Sequence, residues 1–162
     1  VFLSAMINGE MVLRRYTPVS SDHDVGCVRF LMKVYKPCER FPEGGKMSQY
    51  VDSLKIGDTL DIRGPVGEFE YHADGKFSIE HEPEMATHFN LIAGGTGITP
   101  TMQIAAEILR NPDDKTKMSL IFACRIEEDL LMRSTLEEWE EKHPNRFKVH
   151  YILSDEAPQD WK

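Results

Sequence analysis

The feature that most constrains this chain is a change of hydrophobic period near residue 88. From residue 1 to about 72, short β-rich runs alternate with turn signals. Met11-Val12-Leu13 follow the hairpin-type pair Asn8-Gly9. Val28 to Tyr35 is partly alternating and rich in β formers. Thr59 to Arg63 forms another run, ended by Gly64-Pro65-Val66-Gly67. One short helix, Ser48 to Leu54, is predicted among them. Several short strands with one helix predict a small antiparallel β-barrel. After residue 88 the pattern becomes strand (Phe89 to Ala93), helix (through Met102, Ala105, Ala106, Ile108 and Leu109, stopped at Asn111-Pro112), strand (Met118 to Cys124), helix (Leu130 to Lys142) and strand (Phe147 to Leu153). Such alternation predicts a parallel α/β sheet.

The expected organisation is therefore a β-barrel over 1–72, a polar, turn-bearing linker over 73–88, and an α/β unit over 89–162. The chain opens at Val1-Phe2-Leu3 with a strand already under way and no initiator Met, and ends at Trp161-Lys162 soon after its last apolar run. Both units are expected to be incomplete, as in a fragment of a longer protein.

Composition removes several classes. Hydrophobic residues make up 41% and charged residues 28% of the 162, which excludes wholesale disorder. A net charge of −8 without a basic run argues against a nucleic-acid surface. No stretch approaches the roughly 20 apolar residues of a membrane helix. Three cysteines without CxxC spacing fit idle thiols in a reducing, cytoplasmic setting better than a disulfide frame. The six scattered histidines give no metal-ligand spacing, so no metal site is expected. Charge also divides the halves: 9 basic and 10 acidic residues in 1–72, against 10 and 17 in 73–162. An anionic ligand meets less repulsion on the first half.

Three segments can carry chemistry. Gly94-Gly95-Thr96-Gly97-Ile98-Thr99-Pro100 follows a strand and opens a helix, where backbone without Cβ atoms admits close approach and the helix N-terminus offers free N–H groups. Proline stands where a GxGxxG fingerprint has its third glycine, and a plain structural turn is the alternative. Arg14-Arg15-Tyr16-Thr17-Pro18-Val19-Ser20 places a phosphate-pairing guanidinium beside a ring and a hydroxyl. By itself it reads equally as an edge strand with solvated arginines. Gly44-Gly45-Lys46-Met47-Ser48-Gln49 makes an anion nest with Ser48 as helix cap, or simply an ordinary capped helix.

Together and in this order, these segments resemble the flavin reductase family that contains NADH–cytochrome b5 reductase and the flavin portion of assimilatory nitrate reductase. The RxYTxxS, GGKMSQ and GGTGITP elements stand at Arg14–Ser20, Gly44–Gln49 and Gly94–Pro100, and the likeness extends to Arg63-Gly64-Pro65, Pro112-Asp113-Asp114 and Asp129-Leu130-Leu131. The resemblance implies FAD on the barrel and a nicotinamide nucleotide on the α/β unit. It implies that Arg14 and Ser48 hold the FAD pyrophosphate, with Gly45, Lys46 and Met47 as its loop. Tyr16 would pack on the flavin, with Ser20 closing the same motif. Thr17, hydrogen-bonding near flavin N5, and Lys33, near the nicotinamide, are the candidate catalytic residues. Gly95, Thr96, Gly97, Thr99 and Pro100 would border both cofactors.

The implied reaction is hydride transfer from NAD(P)H to FAD, then single-electron transfer to a cytochrome b5-type haem acceptor, a domain or a separate protein. Asp155 in the equivalent position favours NADH; Ser154 there leaves NADPH open. Trp139 and the Tyr151–Ser154 ending are closer to the nitrate reductase branch, in which haem and molybdenum cofactor, and any homodimer contact, would belong to other domains. A stand-alone NADH–cytochrome b5 reductase and a non-catalytic flavin- or nucleotide-binding module are the alternatives. The family's later CGPP segment lies beyond this sequence.

Overall fold

The computed structural model describes residues 1–155 and 161. Strand β1 (Phe2–Ile7) turns at Asn8-Gly9 into β2 (Glu10–Arg15). Both turn residues have positive φ, 53° and 81°, as a type I′ hairpin demands. Helix α1 (Lys46–Ser53) follows a long loop, and β3 (Asp61–Arg63) returns to pair with β1, giving the antiparallel order β2-β1-β3. Leu3, Ala5, Val12 and Met47 form the buried core of this half.

The run Val28–Tyr35, expected as a strand, is extended chain with a single bridge, Pro18 to Phe30. Proline has no N–H to extend a ladder. The segment is tied instead by scattered bonds. Val19 N–H donates to the Arg29 carbonyl at 2.8 Å, Arg29 N–H to Ser20 Oγ at 2.9 Å, and Tyr35 N–H to Ser48 Oγ at 3.1 Å. Among the described residues β2, β1 and β3 thus form one antiparallel sheet of the antiparallel unit that the sequence predicts.

Residues 73–88, expected as linker, are instead largely strand. β4 (Phe69–Ala73), β5 (Lys76–Ile79) and β6 (Glu82–Met85) form a second antiparallel sheet, with Asp74-Gly75 as a second positive-φ hairpin turn. β6 is exposed at every position, so it carries none of the alternation by which a strand is read from sequence.

The α/β pattern is as expected. β7 (His88–Gly94), β8 (Lys117–Cys124) and β9 (Phe147–Leu153) pair in parallel in that order. Helix α2 (Ile98–Arg110) connects β7 to β8, and α3 (Arg133–Lys142) connects β8 to β9. Met118, Leu120 and Phe122 of β8 are buried with Ile98, Met102, Ala105 and Ile108 of α2 and Leu136 of α3, so both helices cover one face of the sheet. α3 starts three residues later than expected, because Met132 adopts φ 59°, a left-handed conformation that a helix cannot continue through. No helix of the described residues is long and apolar enough to cross a membrane.

Candidate functional site

Two clefts share Tyr35 in their linings, one within the antiparallel half and one where the halves meet. The first, about 460 Å³, is lined by Arg14, Arg15 and Tyr16 from the end of β2 and by Glu43 to Ser48 leading into α1. Among the described residues neither Arg14 nor Arg15 has a carboxylate within ion-pair distance, although the chain is acidic overall. Lys46 Nζ reaches Glu10 at 3.2 Å. α1 begins with Gly45 as its cap and no side-chain capping bond, so its first N–H groups remain open to an anion.

That corrects one expectation. Ser48 is the third residue of α1, not its cap, and is 4% exposed. Its hydroxyl donates to the Gly45 carbonyl at 3.0 Å and accepts from Tyr35 N–H at 3.1 Å. Ser48 therefore fastens the Tyr35 segment to the turn before α1. Met47 is similarly turned into the core, leaving backbone as its contribution to the cleft. Tyr16 is half-buried, and burial foremost raises its phenol above the ordinary value, so it is a neutral ring at physiological pH.

The second cleft, about 290 Å³, has Lys33 and Tyr35 on one wall, Gly95 and Thr96 at its base, and Ala123-Cys124-Arg125, Asp129, Leu131 and Ser154 opposite. Lys33 Nζ donates to Asp129 Oδ1 at 2.5 Å, an ion pair between the two halves. Tyr35 Oη lies 3.4 Å from Thr96 Oγ1. Between β7 and α2 the chain makes a tight 3-10 turn, Gly95–Gly97. A Cβ built at Gly94, Gly95 or Gly97 meets no protein atom within 4 Å, so internal packing does not require glycine there. The Cys124 thiol donates to the Asp129 carbonyl at 3.2 Å. Burial foremost raises its pKa, which keeps it a protonated thiol rather than a nucleophile.

The structure thus gathers Arg14, Tyr16, Gly45, Lys46, Met47 and Ser48 at the first cleft, and Lys33, Gly95 and Thr96 at the second. The other candidates sit outside these linings. Thr17 is half-buried beyond Tyr16. Ser20 is 7% exposed, its hydroxyl accepting from Arg29 N–H. Thr99 is buried and donates to the Thr96 carbonyl at 3.3 Å, while Gly97 and Pro100 are exposed in the first turns beyond the base. Asp155, beside the second cleft, is ion-paired with Arg125 at 2.8 Å. Sequence reasoning did not single out Tyr35, Cys124 or Arg125, and quoted Asp129 only within the Asp129-Leu130-Leu131 element, without a role. Tyr35 had one available signal: it is two residues from Lys33, hence on the same side of an extended run. The described residues contain no cluster of three or more metal-ligating side chains.

Residues 1–71 match the family described as oxidoreductase FAD-binding domain, and residues 91–162 the oxidoreductase NAD-binding domain. The chain is 51% identical over 170 aligned positions to NADH-cytochrome b5 reductase 2 of Xenopus tropicalis, covering all of this chain and 56% of that protein. It is 46% identical to a nitrate reductase [NADH] of Volvox carteri, covering all of this chain and 19% of that protein. The chain therefore spans about half the length of the first of these relatives. The cytochrome b5 reductase domain of Ulva prolifera nitrate reductase superposes with a TM-score of 0.95 at 37% identity, over 99% of this chain and 62% of that one. The chain is therefore an oxidoreductase FAD-binding domain followed by an oxidoreductase NAD-binding domain, with the glycine turn between β7 and α2 in the second, and its homologues are NADH-cytochrome b5 reductases and nitrate reductases.

Proposed function

We propose that this chain is the electron-entry unit of a NADH-dependent flavoprotein whose acceptor is a cytochrome b5-type haem. The observation that carries the reading is the junction at Tyr35, where a cation-rich cleft meets a glycine-floored one. The residues fit both cofactors. Arg14, Arg15, Lys46 and the uncapped start of α1 suit a flavin nucleotide pyrophosphate. The space over Gly94, Gly95 and Gly97 admits a flat ring against bare backbone. When bound, the flavin takes two electrons as hydride from a reduced nicotinamide and releases them singly.

What the protein contributes is alignment. Tyr35 and Thr96 bring the two clefts into register from opposite halves. Lys33, held by Asp129, places a cation at the rim of the nicotinamide side. Thr17 and Ser20, carried by the family motif, stay in this reading as flavin-side residues, with Thr99 and Pro100 supporting the glycine turn. A strong acid or base is not required of any of them. Anaerobic addition of NADH to the full-length protein is expected to bleach its visible flavin absorbance and then reduce a b5-type haem; a folded, colourless protein would overturn the reading.

On the finer identity, the 51% match supports a stand-alone reductase. Trp139, the Tyr151–Ser154 ending and the TM-score of 0.95 support a unit fused within nitrate reductase. Immunoblotting of source extract separates the two by size. Stand-alone means roughly 250–300 residues, two domains' worth; fused means several times that.

A further inference from the structure

Arg125 and Asp155 stand just past the carboxyl ends of the neighbouring parallel strands β8 and β9. Ligands of open α/β sheets bind in the crevice beyond those strand ends. Their backbones are joined, Asp155 N–H donating to the Arg125 carbonyl at 3.0 Å. Their side chains are joined as well: Arg125 donates Nε and Nη2 to the same oxygen, Asp155 Oδ2, at 3.0 and 2.8 Å. The other oxygen, Oδ1, accepts from the Ser154 hydroxyl at 3.2 Å. The Arg125 side chain is 75% exposed and lines the same cleft as Gly95, Thr96 and Ser154. Among the described residues Asp155 is the one carboxylate in ion-pair contact with it.

We infer that Arg125 is a specificity-determining residue for the nucleotide: a 2′-phosphate fork that Asp155 keeps occupied. The inference rests on the reading of this half as the nicotinamide nucleotide site. A lone carboxylate at the adenosine ribose accepts from the 2′-hydroxyl and repels a 2′-phosphate. Here the carboxylate carries a guanidinium on one oxygen, so the pair is close to neutral, and discrimination depends on which anion holds the fork. A 2′-phosphate brings more charge and three acceptor oxygens, and the planar guanidinium matches it in the same geometry as a carboxylate. With Asp155 ionised, the fork is held and the unphosphorylated ribose is preferred. Neutralising Asp155 releases the fork to the phosphate. Removing Arg125 instead leaves the carboxylate alone, and repulsion of the phosphate grows.

The test is calorimetric titration of the full-length protein with 5′-AMP and with adenosine 2′,5′-bisphosphate, which reads binding without turnover. Wild type is expected to prefer 5′-AMP. Asp155→Asn is expected to bind the bisphosphate about tenfold more tightly, one charge-assisted contact's worth. Arg125→Gln is expected to weaken it by a similar factor, and the double variant to lose the gain of Asp155→Asn. The Arg125 side chain is 75% and that of Asp155 37% exposed, and neither belongs to the buried core, so melting temperatures should hold and folding does not confuse the result. An Asp155→Asn gain that persists without Arg125, or an unchanged Arg125→Gln, overturns the inference while 5′-AMP still binds. Failure of 5′-AMP to bind wild type overturns the nucleotide reading itself.

Discussion

At the scale of single residues, glycine serves opposite purposes at the two clefts. Gly44 has φ 64°, and a Cβ there would lie 2.5 Å from the Tyr35 carbonyl oxygen and 2.9 Å from the Lys36 carbonyl carbon. Backbone cannot swing aside as a side chain can. Gly44→Ala is therefore expected to destabilise by about 2 kcal/mol or more, through left-handed strain and overpacking, read in chemical denaturation. Gly94 is the contrary case: its φ of −123° suits any residue, and nothing lies within 4 Å of a Cβ. Gly94→Ala is expected to change stability by under about 0.5 kcal/mol, yet to weaken nucleotide binding in the full-length protein because the methyl occupies the ring's space. Unimpaired binding would show that the glycine floor is not the nicotinamide surface. Ser48→Ala removes a buried acceptor from Tyr35 N–H and is expected to cost about 1–3 kcal/mol.

At the scale of elements, the β4–β5 hairpin is fixed to the connection between α2 and β8 by one buried carboxylate. Asp114, 1% exposed, accepts from Tyr71 Oη at 2.5 Å and Asp74 N–H at 3.1 Å through Oδ2, and from Thr116 N–H at 2.8 Å through Oδ1. Burial by itself would raise its pKa, but the bonds from Thr116, Tyr71 and Asp74 outweigh it and hold the carboxyl below the ordinary 3.8. A carboxyl lowered in the folded state stabilises at pH above the unfolded value and loses that contribution as pH falls through the folded one. Acid unfolding below about pH 4 is therefore expected to weaken in Asp114→Asn, whose stability at neutral pH falls by about 2–4 kcal/mol because an amide N–H₂ faces donors. An acid limb as steep as wild type's would remove Asp114 from the account.

At the scale of the whole molecule, the Lys33–Asp129 pair spans the halves close to solvent, with side chains 42% and 28% exposed. Screening limits such a pair to at most about 1 kcal/mol. Asp129→Asn is expected to shift melting by no more than about 2–4 °C. The parallel sheet presents a second asymmetry. Both helices pack on one face, and the other leaves Ile92 78%, Ile121 39% and Ile152 42% exposed. Parallel sheets are normally covered on both faces. Residues 1–162 expressed by themselves are expected to bind an apolar dye and self-associate, and Ile92→Lys to reduce both; a monomer that binds no dye would refute this.

The sequence by itself determined whatever is encoded locally. Asn8-Gly9 dictates a type I′ hairpin because few residues tolerate two positive φ values in succession, and the hairpin is there. Strict β-α-β-α-β periodicity specified the parallel sheet, and the glycine turn after β7 was legible because bare backbone at a strand-to-helix junction has a chemical reason. Asp74-Gly75 carried the same hairpin signal, but the strand that follows its hairpin, Glu82–Met85, buries nothing and so left no pattern. Tertiary structure decided the rest. Ser48 reads as a cap until the fold turns its hydroxyl toward Tyr35 N–H, 13 residues away in the chain. Val28–Tyr35 has β composition, but the fold gives it Pro18 for a neighbour, and a ladder needs partner N–H groups. Tyr35 facing Thr96, Lys33 on Asp129 and Arg125 on Asp155 join residues 61, 96 and 30 positions apart. Such pairings depend on how strands are ordered and halves juxtaposed, and no local propensity encodes that.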